Sequence, residues 1–225
     1  MIDIEKSKFY DIKIVVIGNS GTDKTQYVHK WTKKTFNDTY KQSIVSEFGF
    51  KVFENEGKLY RIQLWDLAGQ ENNCLVGKIF TKDSHGLVIM SDATNIETRE
   101  YAIKYKKSID DTTTFFDGKK LPCILVENKI DLLSEDEIDD PTFEEFWKSN
   151  GFTKGFRVSS KTGENIDESM EYLIKNIIKR MEKIKKLMEE ENIIPSQKKL
   201  ISLFSEQQDA SNINIKKKKN DRCYN

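Results

Sequence analysis

Short apolar runs and longer amphipathic stretches alternate along most of the chain. The runs are rich in β-branched residues, as is typical of strands buried on both faces, and the longer stretches place apolar residues three and four positions apart, as one face of a helix does. This pattern predicts strands at 12–17, 86–91, 122–127 and 156–159. It predicts helices at 24–31, 97–109 and 141–149.

Two further segments, 47–54 and 59–66, alternate between apolar and polar residues and flank the turn sequence Asn55-Glu56-Gly57. This arrangement predicts a β-hairpin. Because strands otherwise alternate with helices, the fold class is α/β with a mostly parallel sheet. Ligands are then expected at the carboxyl ends of the strands.

A long helix is predicted from residue 165 onwards. Its apolar positions follow a heptad-like spacing: Ile166, Met170, Leu173, Ile177, Met181, Ile184 and Met188. We expect its first part to pack on the sheet and to close a domain spanning 1–182. The extension over 183–194 would either pair with a partner helix or project as an exposed overhang. The tail, 195–225, is polar and aperiodic, which predicts disorder.

Composition narrows the class of protein. The 37 basic and 37 acidic residues balance, so net charge gives no reason to expect a nucleic-acid partner. The sequence has neither an apolar run near the ~18 residues of a membrane-spanning helix nor a signal peptide, so we expect a cytosolic protein. Cys74, Cys123 and Cys223 lie far apart without metal-ligand spacing, as suits reduced thiols.

A phosphate-binding loop is predicted directly after the first strand. The spacing from Gly18 to Lys24 and Thr25 is that of the P-loop, whose backbone N–H groups surround phosphates while the Lys and the hydroxyl serve the terminal phosphates and Mg²⁺. Asp23 stands where the motif has glycine, and we expect its carboxylate to weaken binding by repelling the phosphates. The candidate phosphate-binding residues are Asn19, Ser20, Gly21, Thr22, Asp23, Lys24, Thr25 and Gln26.

Two polar segments at later strand ends indicate which base is bound. In Asn-Lys-Ile-Asp, the carboxylate can accept from two adjacent N–H donors of guanine, which adenine does not offer, the Asn can reach N7, and the Lys can cover the ring. In Ser-Ser-Lys, a backbone N–H can serve the guanine carbonyl. Together they favour a guanine site over a P-loop kinase or ATPase site. The residues concerned are Asn128, Lys129, Asp131, Ser159, Ser160 and Lys161.

With these motifs in this order, the chain resembles the Ras-superfamily small GTPases, and within them the Rab family, over about 10–182. The resemblance implies the Ras-like, three-layer P-loop NTPase fold, with a six-stranded, mostly parallel sheet and one antiparallel edge strand. It also implies a switch that binds GTP or GDP with Mg²⁺ and hydrolyses GTP slowly, with acceleration in trans by a partner.

The resemblance assigns roles to single residues. Mg²⁺ would be held by Thr25 and Ser43, with Asp66 acting through water, and Gln70 would be the catalytic residue that orients the attacking water. Further nucleotide contacts fall on Phe36, Tyr40 and Gly69. An exchange factor, a GTPase-activating protein and effectors would bind the switch loops and an aromatic triad, Phe48, Trp65 and Phe80.

Three stretches resemble the Rabs of lysosome-related organelles, at 51–53, 64–70 and 112–122. Val45 and the pair Asn72-Asn73 depart from Rab patterns in the switch regions, as Asp23 does in the P-loop. Two functions therefore stay open. One is a GTP-driven switch in vesicle and membrane traffic, and the other is a degenerate Rab fold that binds nucleotide weakly or not at all and acts as a protein-binding module.

The tail suggests membrane attachment. A basic run at 216–219 precedes Cys223, and each such charge is attracted to an anionic leaflet by about 1 kcal/mol. The resemblance makes Cys223 a candidate for prenylation. It stands third from the end, however, where a C-a-a-X box needs it fourth, so an unmodified cysteine stays an alternative. The expected location is the cytosolic face of an endosomal, lysosome-related or Golgi membrane.

Overall fold

A six-stranded sheet flanked by helices forms the body of the protein. The computed structural model describes residues 9–33, 47–67, 80–138 and 140–190, and for 47 and 48 the backbone alone. The strands are β1 (Phe9–Gly18), β2 (Glu47–Asn55), β3 (Lys58–Asp66), β4 (Gly86–Asp92), β5 (Cys123–Asn128) and β6 (Lys154–Val158). The helices are α1 (Lys24–Lys33), α2 (Glu97–Asp110), α3 (Glu135–Ile138), α4 (Thr142–Ser149) and α5 (Ile166–Glu190).

The sheet has the order β2-β3-β1-β4-β5-β6. Every neighbouring pair is parallel except β2 with β3, which are antiparallel at one edge. The predicted fold class is therefore confirmed. The central strands are buried along their length, since β4 and β5 expose no residue, and this is why they appear in the sequence as continuous apolar runs rather than alternating ones.

The hairpin between β2 and β3 has the two-residue turn that its sequence predicts. Glu56 and Gly57 both have positive φ, at 50° and 72°, and Asn55 pairs with Lys58. Positive φ at both central positions defines a type I′ turn, whose twist matches that of the strands it joins. The register of β2 is set by this turn.

The first strand begins at Phe9, three residues before the predicted start. The polar Asp11 concealed this beginning, because its carboxylate is held by Arg61 on the neighbouring β3, with Nε–Oδ1 2.6 Å and Nη2–Oδ2 2.8 Å. The last strand, β6, likewise begins two residues before its predicted start. The short helix α3 and the 3₁₀ turn Ile130–Leu132 were not predicted.

The long last helix packs on the body over its first half. The buried members of its stripe are Ile166, Met170, Leu173, Ile177 and Met181. The Tyr27 hydroxyl and the Ser169 hydroxyl, 2.8 Å apart, join it to α1. Ile184 is half-buried, Leu187 is 46% exposed, and the helix reaches Glu190. The domain boundary at 182 stays a prediction, and the tail 195–225 lies outside the described residues.

The two halves of α5 should differ in their effect on stability. Met170 is fully buried, so Met170→Ala should lower the free energy of unfolding by about 2–5 kcal/mol. Met188→Ala, on the half-buried part of the same helix, should cost under about 1 kcal/mol. Urea unfolding of both variants, followed by circular dichroism, measures the difference. Equal losses would show that the second half of the helix packs as tightly as the first.

Candidate nucleotide-binding site

Three loops meet at the carboxyl ends of the strands. They follow β1, β5 and β6, and they carry the predicted phosphate and base residues. Parallel strands place these ends at one edge of the sheet, which is where ligands bind in open α/β folds. A cavity of about 230 Å³ lies at this edge. Its lining residues are Asp23, Asn128, Lys129, Asp131, Leu132, Ser160 and Lys161.

Asn128 joins the three loops. Its Nδ2 donates to the Thr22 carbonyl oxygen in the P-loop at 3.0 Å, and its Oδ1 accepts from the Ser160 N–H at 2.8 Å. The side chain is fully buried. Both polar atoms of the amide therefore have protein partners, so Asn128 fixes the P-loop against the Ser-Ser-Lys loop. Its contact with N7 of the base stays a prediction.

Asp131 is oriented from the next loop. One of its carboxylate oxygens, Oδ1, accepts from the Ser159 hydroxyl at 2.6 Å, and that hydroxyl in turn accepts from the Thr162 N–H at 3.1 Å. Asp131 itself is exposed. A carboxylate with one oxygen fixed by the protein and a solvent-facing position is suited to accept from paired N–H donors on a ligand.

Lys129 lies between two carboxylates. Its backbone is left-handed, with φ 73°, and its Nζ is 2.7 Å from Oδ2 of Asp92 and 3.9 Å from Oδ2 of Asp23. Asp92, at the end of β4, was not singled out in the sequence. The signal was present, because an acidic residue directly after a predicted strand lies at the edge where ligands are expected.

The carboxylate of Asp23 lies on the side of the P-loop that faces the predicted base residues. It lines the cavity together with Lys129 and Asp131 rather than facing Lys24 alone. Burial raises the pKa of the Asp23 carboxyl, and Lys129 opposes that rise. Asp23 also has a φ of 61°, a conformation that favours glycine and that Asp tolerates better than most residues. The predicted repulsion therefore concerns the wall of this candidate base cavity as well as the phosphates.

Side chains of the P-loop donate hydrogen bonds to the backbone of the same loop. Gly18 begins it, and a Cβ there would lie 2.4 Å from the Met90 carbonyl oxygen, so no larger residue fits. The Lys24 ammonium donates to the Asn19 carbonyl oxygen at 2.8 Å, as does the Thr22 hydroxyl at 2.9 Å. Burial lowers the pKa of Lys24, against the opposing charge of Asp66. The ammonium is thus held inside the loop that its motif assigns to phosphates.

The candidate metal ligands are partly assembled. The Thr25 hydroxyl, at the start of α1, donates to Oδ2 of Asp66, at the end of β3. Hydroxyl and carboxylate oxygens are the ligands that Mg²⁺ prefers, so these two side chains fit the ion. The third predicted ligand, Ser43, lies outside the described residues.

The predicted site residues within the described part of the chain lie together, and the others lie outside it. Those that meet at this edge are Asn19, Ser20, Gly21, Thr22, Asp23, Lys24, Thr25, Gln26, Asp66, Asn128, Lys129, Asp131, Ser159, Ser160 and Lys161. Those outside the described residues are Phe36, Tyr40, Ser43, Val45, Gly69, Gln70, Asn72 and Asn73. Their roles stay predictions.

Two of the three predicted partner-binding aromatics contact each other. The rings of Trp65 and Phe80 have centroids 6.4 Å apart and are tilted by 47°, and the ammonium of Lys13 lies 5.1 Å from the Trp65 ring. The backbone of Phe48 pairs with that of Trp65 in the sheet. The backbone register therefore brings the third member of the triad alongside the second.

Comparison with known proteins agrees with this geometry. The Ras family model matches residues 13–179. Human Ras-related protein Rab-7L1 is 33% identical over 178 residues, which cover 77% of this chain and 85% of the relative. Rab-32 of Mus musculus is 30% identical over 167 residues, 74% and 75% of the two chains. Rab-32A of Dictyostelium discoideum is 34% identical over 180 residues, 79% and 82% of the two chains.

Removing the Asp23 carboxylate should strengthen nucleotide binding. Asp23→Gly takes a carboxylate out of the cavity wall, releases Lys129 from one of its two partners and suits the positive φ. We expect GDP release to slow at least about tenfold, which corresponds to about 1.4 kcal/mol. Stopped-flow release of a fluorescent GDP measures this. Asp23→Asn, which removes the charge and keeps the Cβ, separates repulsion from shape, and an unchanged rate in both would show that the loop accommodates the carboxylate without loss.

Proposed function

We propose that this chain, which belongs to the Ras family and within it to the Rab small GTPases, is a guanine-nucleotide-dependent switch. In this proposal it binds GTP and GDP with Mg²⁺, hydrolyses GTP slowly and so regulates intracellular membrane traffic. The observation that carries the proposal is the bridging of the loops by Asn128, which holds the P-loop beside the segment that presents Asp131.

Guanine selectivity would follow from Asp131. Its carboxylate, fixed by Ser159, can accept from the two adjacent N–H donors on the edge of guanine, whereas adenine offers no such pair. The Ser159 N–H donates to the Glu164 carbonyl oxygen and the Ser160 N–H donates to Asn128, so the Lys161 N–H would serve the guanine carbonyl from the other side. Lys129 and Lys161 line the same cavity, where their stems can cover the faces of the ring.

Hydrolysis would rely on positioning and on charge. Lys24 would leave the Asn19 carbonyl and bind the terminal phosphates, while Thr25 and Asp66, with Ser43, would hold Mg²⁺. When bound, the ion neutralises charge on the β- and γ-phosphates. Gln70 would orient the attacking water, and a partner would accelerate the slow intrinsic step.

Partner proteins would detect the bound nucleotide through a change in conformation. Segments that contain Ser43 and Gly69 would be ordered by the γ-phosphate and released after hydrolysis. Exchange factors, GTPase-activating proteins and effectors would sense this state at the switch segments and at Phe48, Trp65 and Phe80. No interaction with nucleic acid is proposed.

Membrane association would be peripheral. Among the described helices, none is both long and apolar enough to cross a bilayer. The basic run at 216–219 together with a prenylated Cys223 would supply the two signals that stable anchoring takes. The similarity to Rab-7L1 and Rab-32 supports the cytosolic face of an intracellular membrane, of the endosomal, lysosome-related or Golgi kind.

A second function is favoured by one observation. The Asp23 carboxylate occupies the wall of the base cavity and lies 3.9 Å from the Lys129 ammonium, which would hold the two loops together without a ligand. A degenerate Rab fold that acts as a protein-binding module would need no nucleotide. The affinity of the purified protein for GDP separates the two functions.

The base assignment is tested at Asp131. Asp131→Asn replaces the carboxylate by an amide, which would face a carbonyl on xanthine but two N–H donors on guanine. The nucleotide preference of the protein should therefore move from GDP towards XDP by about tenfold or more. Competition binding with both nucleotides measures it. An unchanged GDP preference contradicts the role of Asp131, and a parent protein that binds neither nucleotide favours the second function.

The catalytic assignment is tested at Gln70. Gln70→Leu should leave GTP affinity within about twofold and slow hydrolysis by about 10²-fold, because it removes a contact made to the attacking water in the transition state. Single-turnover hydrolysis of preloaded GTP measures the rate. If the variant hydrolyses GTP as fast as the parent, Gln70 does not take part in the reaction.

A further inference from the structure

A buried charge cluster lies directly behind the base-reading loops. Glu127, whose side chain is 1% exposed, accepts a bidentate pair from Arg99, with Nε–Oε1 2.5 Å and Nη2–Oε2 3.0 Å. It also accepts from Arg157, with Nε–Oε2 2.9 Å. The arginine side chains are themselves only 12% and 10% exposed. We call these three residues the Glu127 cluster.

The cluster lies close to the point where both loops begin. Glu127 directly precedes Asn128 on β5, and Arg157, two residues before Ser159, is its register partner on β6. The ion pair therefore ties the two strands together at their penultimate positions, one residue before the strands end. A shift of one strand end against the other would move Asp131 relative to the Ser-Ser-Lys loop.

Arg157 also fixes the segment that follows Asp131. Its Nη1 donates to the Glu137 carbonyl oxygen at 2.5 Å and to that of Ile138, at the end of α3. Its Nη2 is 3.5 Å from Oδ2 of Asp140. The loop that carries Asp131 is thus held at both ends, by Glu127 before it and by α3 after it.

Aromatic rings close the cluster from the helical side. The Arg157 guanidinium lies 4.8 Å from the Phe143 ring, and the Arg99 guanidinium lies 5.6 Å from the same ring and 5.4 Å from that of Phe146. Rings at these distances interact favourably with guanidinium groups and limit their movement. Each arginine is therefore confined by a carboxylate and by a ring on α4.

We propose that the Glu127 cluster is a positioning device that sets the spacing between the two base-reading loops and thereby the affinity and selectivity for the guanine base. The inference rests on the proposed nucleotide-binding function. Buried ion pairs add little net stability compared with apolar residues of the same volume. The rigid fork of a guanidinium on a carboxylate instead fixes geometry, and small displacements in a binding site have large effects on its function.

The test uses Glu127→Gln in the full chain. IDP lacks the exocyclic amino group that Asp131 is proposed to bind, so the ratio of GDP to IDP affinity reports the base-reading geometry. We expect this ratio to fall roughly tenfold and GDP release to accelerate, since displaced loops read the base poorly. Arg157→Lys is the second variant, because it keeps the charge balance while losing the fork that reaches Glu127 and α3 together.

Asp110→Asn is the matched control. Asp110 also holds two cations, with Oδ2 2.5 Å from Lys106 and 3.0 Å from Lys120, and its side chain is 9% exposed. It lies near Cys123, at the opposite end of β5 from the loops. This variant should lower the melting temperature without changing the ratio of GDP to IDP affinity. An equal fall of the ratio in the control and in Glu127→Gln would overturn the proposal.

Hydrogen exchange separates this proposal from the proposed function. In nucleotide-free protein, Glu127→Gln should speed amide exchange at 128–132 and 159–163 more than Asp110→Asn does. A parent protein that binds no GDP contradicts the proposed function, and exchange at these segments then decides the positioning role by itself. Folded Glu127→Gln and Arg157→Lys proteins with unchanged exchange and an unchanged affinity ratio would overturn it.

Discussion

The two hydrogen bonds of the Asn128 side chain determine the geometry of the whole site. The amide is fully buried and joins a P-loop carbonyl to a backbone N–H of the loop after β6. A buried amide without partners is costly, so neither loop can move away without leaving a polar group unsatisfied. The bridge is possible only because β1, β4, β5 and β6 run parallel in adjacent positions, which brings their carboxyl ends to one edge.

Charge around Lys129 explains how the chain accommodates its unusual P-loop residue. Asp92 and Asp23 face one ammonium, and Asp131 lies in the same cavity. The negative charge that Asp23 adds is therefore partly offset at the base loop rather than placed among phosphates alone. The compensation has a consequence, because Lys129 is directed towards carboxylates at the position from which it is expected to cover the guanine ring.

Sequence periodicity predicted the elements that depend on local pattern, and it failed where a distant partner changes the meaning of a residue. The buried strands, the type I′ turn and the loops at the strand ends follow from local pattern. The start of β1 was missed because Arg61 on another strand satisfies Asp11. The role of Glu127, at the end of an apolar run, could not be predicted, because nothing near it in sequence shows that two arginines from α2 and β6 neutralise its charge.

Most of the buried polar side chains of the described residues gather at the carboxyl end of the sheet, among them Lys24, Asp66, Glu127, Asn128 and Ser159. Each polar group that is buried there loses its hydration, a cost that an apolar side chain would not incur. In most cases its hydrogen-bond partner lies on a different element. Hydrogen bonds between different elements make this side of the site rigid as a unit, because moving one loop would leave polar groups of another without partners. If this edge binds a guanine base, as proposed, these hydrogen bonds within the protein would lower the ordering free energy that binding requires.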